Sequence, residues 1–158
     1  MHVRDALDVA RERRKRDQND DLGVATLGAG FLAARDRGFE LSDYDAEDPP
    51  TPETADLVLY LLARESMMCS PGASIDWAGL HGGPRQGMRR VWHDVPTVMV
   101  SFGHPGYLLD APRVPVYINA YYAANDVQLA VLRKLLGEED FLGISPIDAF
   151  CGQEEAHW

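Results

Sequence analysis

Two turn-rich segments contain the side chains that could do chemistry. Glu65, Asp76 and His81 lie in the Gly- and Pro-rich residues 64–87, and His104 begins a His-Pro-Gly turn after an apolar run. Paired carboxylates can cleave a glycosidic bond, and a histidine can act as a general acid or base. Trp77 adds an aromatic surface next to Asp76. These five residues are the candidate ligand or interface residues.

Spacing alone does not assemble them into a catalytic centre. A retaining glycosidase needs two carboxyl groups about 5 to 5.5 Å apart, and no two acidic residues are placed on one element in a way that predicts this pair. Neither His81 nor His104 has an identifiable nucleophile and orienting carboxylate, as a triad requires. Ser101 lacks the leading glycine of a nucleophile elbow. We therefore predict no catalytic residue in this chain.

A glycine-rich turn raises a second kind of site. Gly28 and Gly30 form "GAG", with Ala33 at the last position of a dinucleotide-binding fingerprint and acidic residues ending the next predicted strand. Any tight strand-to-helix turn also needs glycines, so this short motif is weak evidence. Nucleotide or sugar binding through Gly28 and Gly30 stays an alternative, while the main prediction includes no cofactor.

Composition favours one soluble domain, and the cysteine content favours a reducing compartment. The chain has 158 residues, and its longest apolar runs fall far short of the ~20 residues of a membrane-spanning helix. Its first residues have no signal-peptide pattern, so we expect a cytoplasmic protein without a membrane partner. Cys69 and Cys151 are far apart and have no neighbouring metal-ligand pattern, which predicts two reduced thiols and no metal site.

Charge is distributed unevenly along the chain. The first sixteen residues contain six basic and three acidic residues, whereas the remainder has nine basic and 22 acidic ones. The net charge of −10 repels phosphate backbones and argues against a nucleic-acid partner, despite "RERRKR". Residues 1–20 are therefore predicted to be a charged helix or arm, and residues 21–158 a single domain.

Apolar periodicity predicts alternating strands and helices. Strands are expected at residues 22–28, 39–45, 55–63, 96–103 and 114–122, and helices at residues 3–15, 31–38, 84–94 and 125–137. Asn125 and Gly137 are the expected caps of the last helix. Residues 46–53 and 64–87 are expected to be loops. This alternation predicts an α/β fold, a three-layer sandwich with a mostly parallel sheet of about five strands and helices on both faces.

The second half of the chain resembles a known family. "SPGASIDWAGLHG" (residues 70–82), the stretch "VPTVMVSFGHPGYLLDAPRVPVYINAYY" (95–122), "VLRKLLGEEDFLGISPID" (131–148) and the closing "AFCG" are similar, in this order, to the C-terminal domain of family 3 glycoside hydrolases. The likeness is strongest to their β-N-acetylhexosaminidase-like branch and extends over about residues 54–152. It implies an α/β domain involved in carbohydrate metabolism.

The resemblance implies that the nucleophilic aspartate of such an enzyme lies on a (β/α)₈ barrel. In this branch it implies that an acid/base His-Asp pair also lies on the barrel. A barrel of that type needs about 250 residues, more than this chain has. In the glucosidase-like branch the C-terminal domain lends an acid/base glutamate, but the residues around Glu65 do not reproduce a motif for it. The chain is thus expected to be a fragment of a longer enzyme or a free-standing copy of its C-terminal domain.

The resemblance implies a non-catalytic scaffold or interface for a sugar-hydrolysing barrel, with the barrel, a second copy or a carbohydrate as partner. An uncovered barrel-facing surface would be apolar, and aromatic residues could line it or fill the core: Trp77, Trp92, Tyr107, Tyr117, Tyr121 and Tyr122. An independent hydrolase of amino-sugar conjugates is the third possibility, and we expect no turnover from the chain alone.

Overall fold

A computed structural model describes residues 2–5, 30–63, 74–85, 87–150 and 152. Five parallel strands form one sheet in the order β2-β1-β3-β4-β5. The strands are β1 (His2–Asp5), β2 (Glu40–Asp43), β3 (Leu57–Leu62), β4 (Thr97–Ser101) and β5 (Val116–Asn119). The prediction of an α/β fold with a mostly parallel sheet is confirmed.

Helical elements cover both faces of the sheet, but unequally. The 3₁₀ helix η1 and the longest α-helix pack on one face, whereas three short elements lie over the other. These elements are η1 (Gly30–Arg37), α1 (Trp77–Leu80), η2 (Val91–His93), η3 (Pro105–Leu109) and α2 (Asn125–Leu135). None of the helices in the described ranges is long and apolar enough to cross a membrane.

The two central strands explain this layering. Strands β3 and β4 are apolar almost throughout, because successive side chains point to opposite faces and both faces are covered. Tyr60 and Met99 pack into the core beneath the short helices, and Leu59 and Val100 pack into the core beneath η1 and α2. The sheet therefore separates two hydrophobic cores.

The start of the chain differs from the sequence-based expectation. Residues 3–5 were expected in a helix, but they belong to β1, which pairs with β2 and β3 on its two sides. Pairing on both sides outweighs the thin apolar face that indicated a helix, since local propensity is a weak preference. Several predicted features lie outside the described residues: the rest of the charged arm, the strand expected at 22–28, Gly28, Glu65, Cys69 and Cys151.

Residues 74–94 also differ from the expectation. The predicted helix at 84–94 is wrong, because among the described residues of this range only Val91–His93 is helical and Arg90 has an extended backbone. The predicted loop at 64–87 instead contains α1, which begins where the Asp76 carboxylate accepts a hydrogen bond from the Gly79 N–H. Proline and glycine at 82–84 break the chain into turns, so the apolar spacing of residues 88–92 does not produce a longer helix.

The last helix matches its prediction closely. Helix α2 runs over Asn125–Leu135, so its N-cap is Ala124 and not the expected Asn125. Gly137 follows the helix with a φ of 74°, a left-handed conformation that glycine adopts without a steric penalty. Its N–H donates to the Lys134 carbonyl, and the Glu138 N–H donates to the Arg133 carbonyl. This arrangement satisfies carbonyls at the helix end.

Candidate functional site

The carboxyl edge of the sheet is the first place to examine. In open parallel sheets, ligands bind outside the carboxyl ends of the strands, where the strand order reverses. Here the order reverses between β1 and β3. The chain that follows these two strands lies outside the described residues from positions 6 and 64 onward. Glu65, which follows β3, therefore stays a prediction.

His104 lies at the same edge, after β4, where its side chain shapes a turn. Its Nδ1 atom accepts a hydrogen bond from the Gly106 N–H at 2.9 Å, so the ring caps the start of η3. A Cβ atom on Gly106 would lie 2.7 Å from that ring. The Ser101 hydroxyl donates to the His104 carbonyl at 2.9 Å. The His-Pro-Gly sequence thus holds an exposed histidine in a defined turn.

His81 has a different environment, inside the core beneath the short helices. It is fully buried, and its Nε2 atom lies 2.8 Å from the Tyr60 hydroxyl. Ring centroids of Tyr44, Tyr60 and Trp77 lie 5.4 to 5.9 Å from that of His81. We define Tyr44, Tyr60, Trp77, His81 and Trp92 as the aromatic cluster. Burial raises the pKa values of Tyr60 and Tyr44, because a phenolate would lose its hydration there.

Trp77 packs within this cluster on several sides. Its ring makes edge contacts with Tyr60 and Trp92, with centroids 6.0 and 5.6 Å away. The Arg90 guanidinium lies 4.2 Å from the Trp77 ring centroid, a cation–π distance. Stacking a sugar on that face would require Arg90 to move. The geometry therefore favours core packing for Trp77, one of the two roles that its sequence left open.

Three of the described carboxylates, those of Asp76, Asp110 and Glu138, serve local structure. The Asp110 carboxylate accepts a hydrogen bond from the Ile75 N–H at 2.6 Å, joining η3 to the segment before α1, and Asp76 caps α1. Glu138 forms an ion pair with Arg37 at 2.6 Å, and the hydrogen bond from Arg37 lowers the pKa of Glu138. Within the described ranges, no group of three or more potential ligands could hold a metal ion.

Gly30 lies at the start of η1, where it meets α2. Its N–H donates to the Gln128 side-chain oxygen at 3.2 Å, and a Cβ atom would lie 2.5 Å from the Gln128 Cβ. Gln128 is fully buried and also donates to the Ala123 carbonyl. The Gly30 amide is thus engaged within the protein, and the missing side chain allows η1 and α2 to approach each other.

Replacing Gly30 with alanine should therefore lower stability and leave any nucleotide affinity unaffected. We expect the free energy of unfolding to fall by about 1 to 3 kcal/mol, because overpacking forces η1 away from α2. Urea unfolding measures this loss, with Gly143→Ala as the control because a Cβ there has open space around it. Saturable binding of a nicotinamide or adenine nucleotide that Gly30→Ala abolishes would contradict the packing role.

The sequence candidates thus occupy different surroundings. Asp76, Trp77 and His81 lie in or beside α1, whereas His104 lies in the turn after β4. Sequence patterns did not single out Tyr60, Arg90 or Gln128. A signal for Gln128 existed, because it precedes the buried Val131 and Leu132 at helical spacing and so shares their inward face.

Comparison with known proteins identifies larger relatives. A beta-N-acetylglucosaminidase/beta-glucosidase of Cellulomonas fimi is 41% identical over 105 residues, which are 66% of this chain and 18% of that enzyme. Among solved structures, a beta-glucoside phosphorylase bound to 2FGlc aligns with 96% of this chain and 26% of its own, with a TM-score of 0.66 and 26% identity. No protein-family model matches. The resemblance seen in the sequence to the C-terminal α/β domain of family 3 glycoside hydrolases is therefore confirmed, and the chain spans only a minor part of each of these relatives.

Proposed function

We propose that this chain is a non-catalytic α/β domain that supports the catalytic barrel of a sugar-processing enzyme. The proposal rests on one observation: the matches cover most of this chain but only a small part of each relative. The structural match takes in 96% of this chain but only 26% of the phosphorylase, so most of such an enzyme lies outside the matching domain. The same holds for the Cellulomonas fimi enzyme, of which the chain matches 18%. The proposed partner is this remaining part, with its sugar-binding site.

The surroundings of the candidate residues support a structural role. His81 is enclosed by the aromatic cluster, and the hydrogen bonds of Asp76 and His104 organise adjacent backbone. A general acid or base must reach the atom whose proton it transfers. A buried histidine does not meet this requirement unless the cluster opens. These observations favour scaffolding over catalysis for the described part of the chain.

A chimaeric enzyme tests the proposal. The domain of the Cellulomonas fimi enzyme that contains the matching segment is replaced with this chain, and cleavage of chromogenic N-acetylglucosaminide and glucoside is measured. We expect activity close to that of the parent enzyme, because the inserted domain supplies the same scaffold and the parent supplies the catalytic groups. A chimaera that unfolds cooperatively but has no activity would argue against the scaffold role.

A further inference from the structure

Several large apolar side chains are exposed near one corner of the domain. Leu142 and Ile144 have exposed fractions of 86% and 93%, values expected for polar surface residues. Four other exposed apolar residues accompany them. We define the apolar strip as Tyr121, Tyr122, Phe141, Leu142, Ile144 and Ile147. Clusters of this kind mark interaction sites more often than single exposed residues do.

Contacts at both ends anchor the segment of residues 140–145. The Tyr121 hydroxyl and Ser145 Oγ are 2.8 Å apart, which joins the segment to the end of β5. At its other end, Lys134 Nζ donates to the Asp140 carbonyl at 2.6 Å and lies 5.8 Å from the Phe141 ring centroid. Residues 140–145 therefore run back from the C-terminal end of α2 toward the carboxyl edge of the sheet.

The segment is held in place although it has no regular secondary structure. The Ser145 hydroxyl donates to the Ile147 carbonyl at 2.8 Å, and the Asp148 carboxylate accepts from the Phe150 N–H at 2.9 Å. Tyr121 has a φ of 61°, the one positive value for a non-glycine residue in the described chain. This conformation costs of order 1 to 3 kcal/mol and persists only when its surroundings fix it. The strip is thus a defined surface.

Charge argues against a second copy as the occupant. The protein has a net charge of −10, and Asp140 directly precedes Phe141 of the strip. Glu138 and Glu139, the two residues before Asp140, are ion-paired with Arg37 and Arg133 within the domain. Two copies meeting here would bring two strongly acidic proteins together, and like charges across an interface oppose association. A partner with an apolar surface and basic residues at its margin would complement the strip. The part of the larger relatives that this chain does not match is a partner available within one enzyme.

We propose that the apolar strip is the surface through which this domain docks on the catalytic domain of its enzyme. The inference rests on the proposed scaffold function and adds the place of contact. Burying Leu142 and Ile144 at the centre would supply the driving force, because both are almost completely exposed in the isolated domain. Asp140, which precedes them in the chain, would lie at the rim of this contact.

Aspartate substitutions distinguish a docking surface from an ordinary exposed one. Leu142→Asp and Ile144→Asp should leave the melting temperature of the isolated chain unchanged, since these side chains make few contacts there. In the chimaera, the same changes should lower the melting temperature and remove most of the activity, because a charge would be buried at the interface. Met88→Asp is the matched control: Met88 is 84% exposed and lies outside the strip, so it should change neither quantity in either protein.

Each of the other possible results of these experiments would contradict one specific part of the proposal. An active chimaera that tolerates both strip substitutions would place the contact elsewhere and leave the scaffold function standing. A folded but inactive chimaera without these substitutions would refute the scaffold function itself. Sedimentation of the isolated chain as a dimer that Ile144→Asp dissociates would assign the strip to self-association. If an aspartate variant fails to fold in isolation, Ile144→Ser repeats the comparison with a milder change.

Discussion

Replacing Gly82 with alanine should lower the free energy of unfolding by about 2 to 4 kcal/mol, through backbone strain and overpacking. Gly82 follows the buried His81 and has a φ of 83°, which L-residues rarely adopt. A Cβ atom there would also clash with the Cβ of Ala46, in the loop after β2. Since Tyr44 in the same loop packs on His81, the change should disturb the aromatic cluster. Urea unfolding measures the effect.

Two further variants separate strain from contact. Gly38 has nearly the same φ, 84°, but a Cβ there would meet nothing within 4 Å. Gly38→Ala should therefore show the strain alone, about 1 kcal/mol. Ala46→Gly should restore part of the loss in Gly82→Ala because it removes the clashing methyl group. Equal losses for the two glycine substitutions would show that the contact with Ala46 is unimportant.

Replacing His81 with alanine should cost about 3 to 5 kcal/mol of unfolding free energy, the range for removing a large buried ring. The change leaves a cavity among Tyr44, Tyr60 and Trp77 and removes the partner of the Tyr60 hydroxyl. The loss should be accompanied by a change in tryptophan fluorescence, because Trp77 and Trp92 both belong to the cluster. Thermal and urea unfolding followed by fluorescence measure both effects.

Tyr60→Phe is the matched control for this position. It keeps the ring packing but removes the hydroxyl that pairs with His81, so we expect a loss of about 1 to 3 kcal/mol for leaving a buried polar atom without that partner. A His81→Ala variant as stable as the parent would contradict the structural role of His81. If the His81→Ala variant instead lost a measurable activity while it kept its stability, a catalytic role for His81 would be indicated.

The central strands were predictable because their signals are strong and local. Runs of apolar residues at 57–62 and 97–101 have few alternatives to a strand buried on both faces, and the prediction of an α/β fold followed from them. Helix α2 was equally clear, since apolar spacing and a following glycine agree. The family resemblance was visible because several motifs follow one another in the same order over a long stretch. A single helix or strand would not have been specific enough to indicate the family.

Long-range features were harder to predict. Strand β1 depends on pairing with two strands more than thirty residues away, and nothing within His2–Asp5 indicates those partners. The pairing of Tyr60 with His81 crosses a 21-residue separation, and the fit of Gly30 against Gln128 crosses 98. Such contacts depend on the complete packing. Sequence reasoning therefore found His81 and Gly30 as notable residues but could not identify what each of them contacts.

Turnover by the isolated chain tests a non-catalytic role most directly. The purified protein, shown to be folded by a cooperative unfolding transition, is incubated with chromogenic N-acetylglucosaminide and glucoside, and product release is compared with buffer. We predict no release above buffer, because Asp76, His81 and His104 are engaged in capping and packing. Release of product that disappears in Asp76→Ala or His104→Ala, while the fold is retained, would contradict the assignment of this domain as a scaffold.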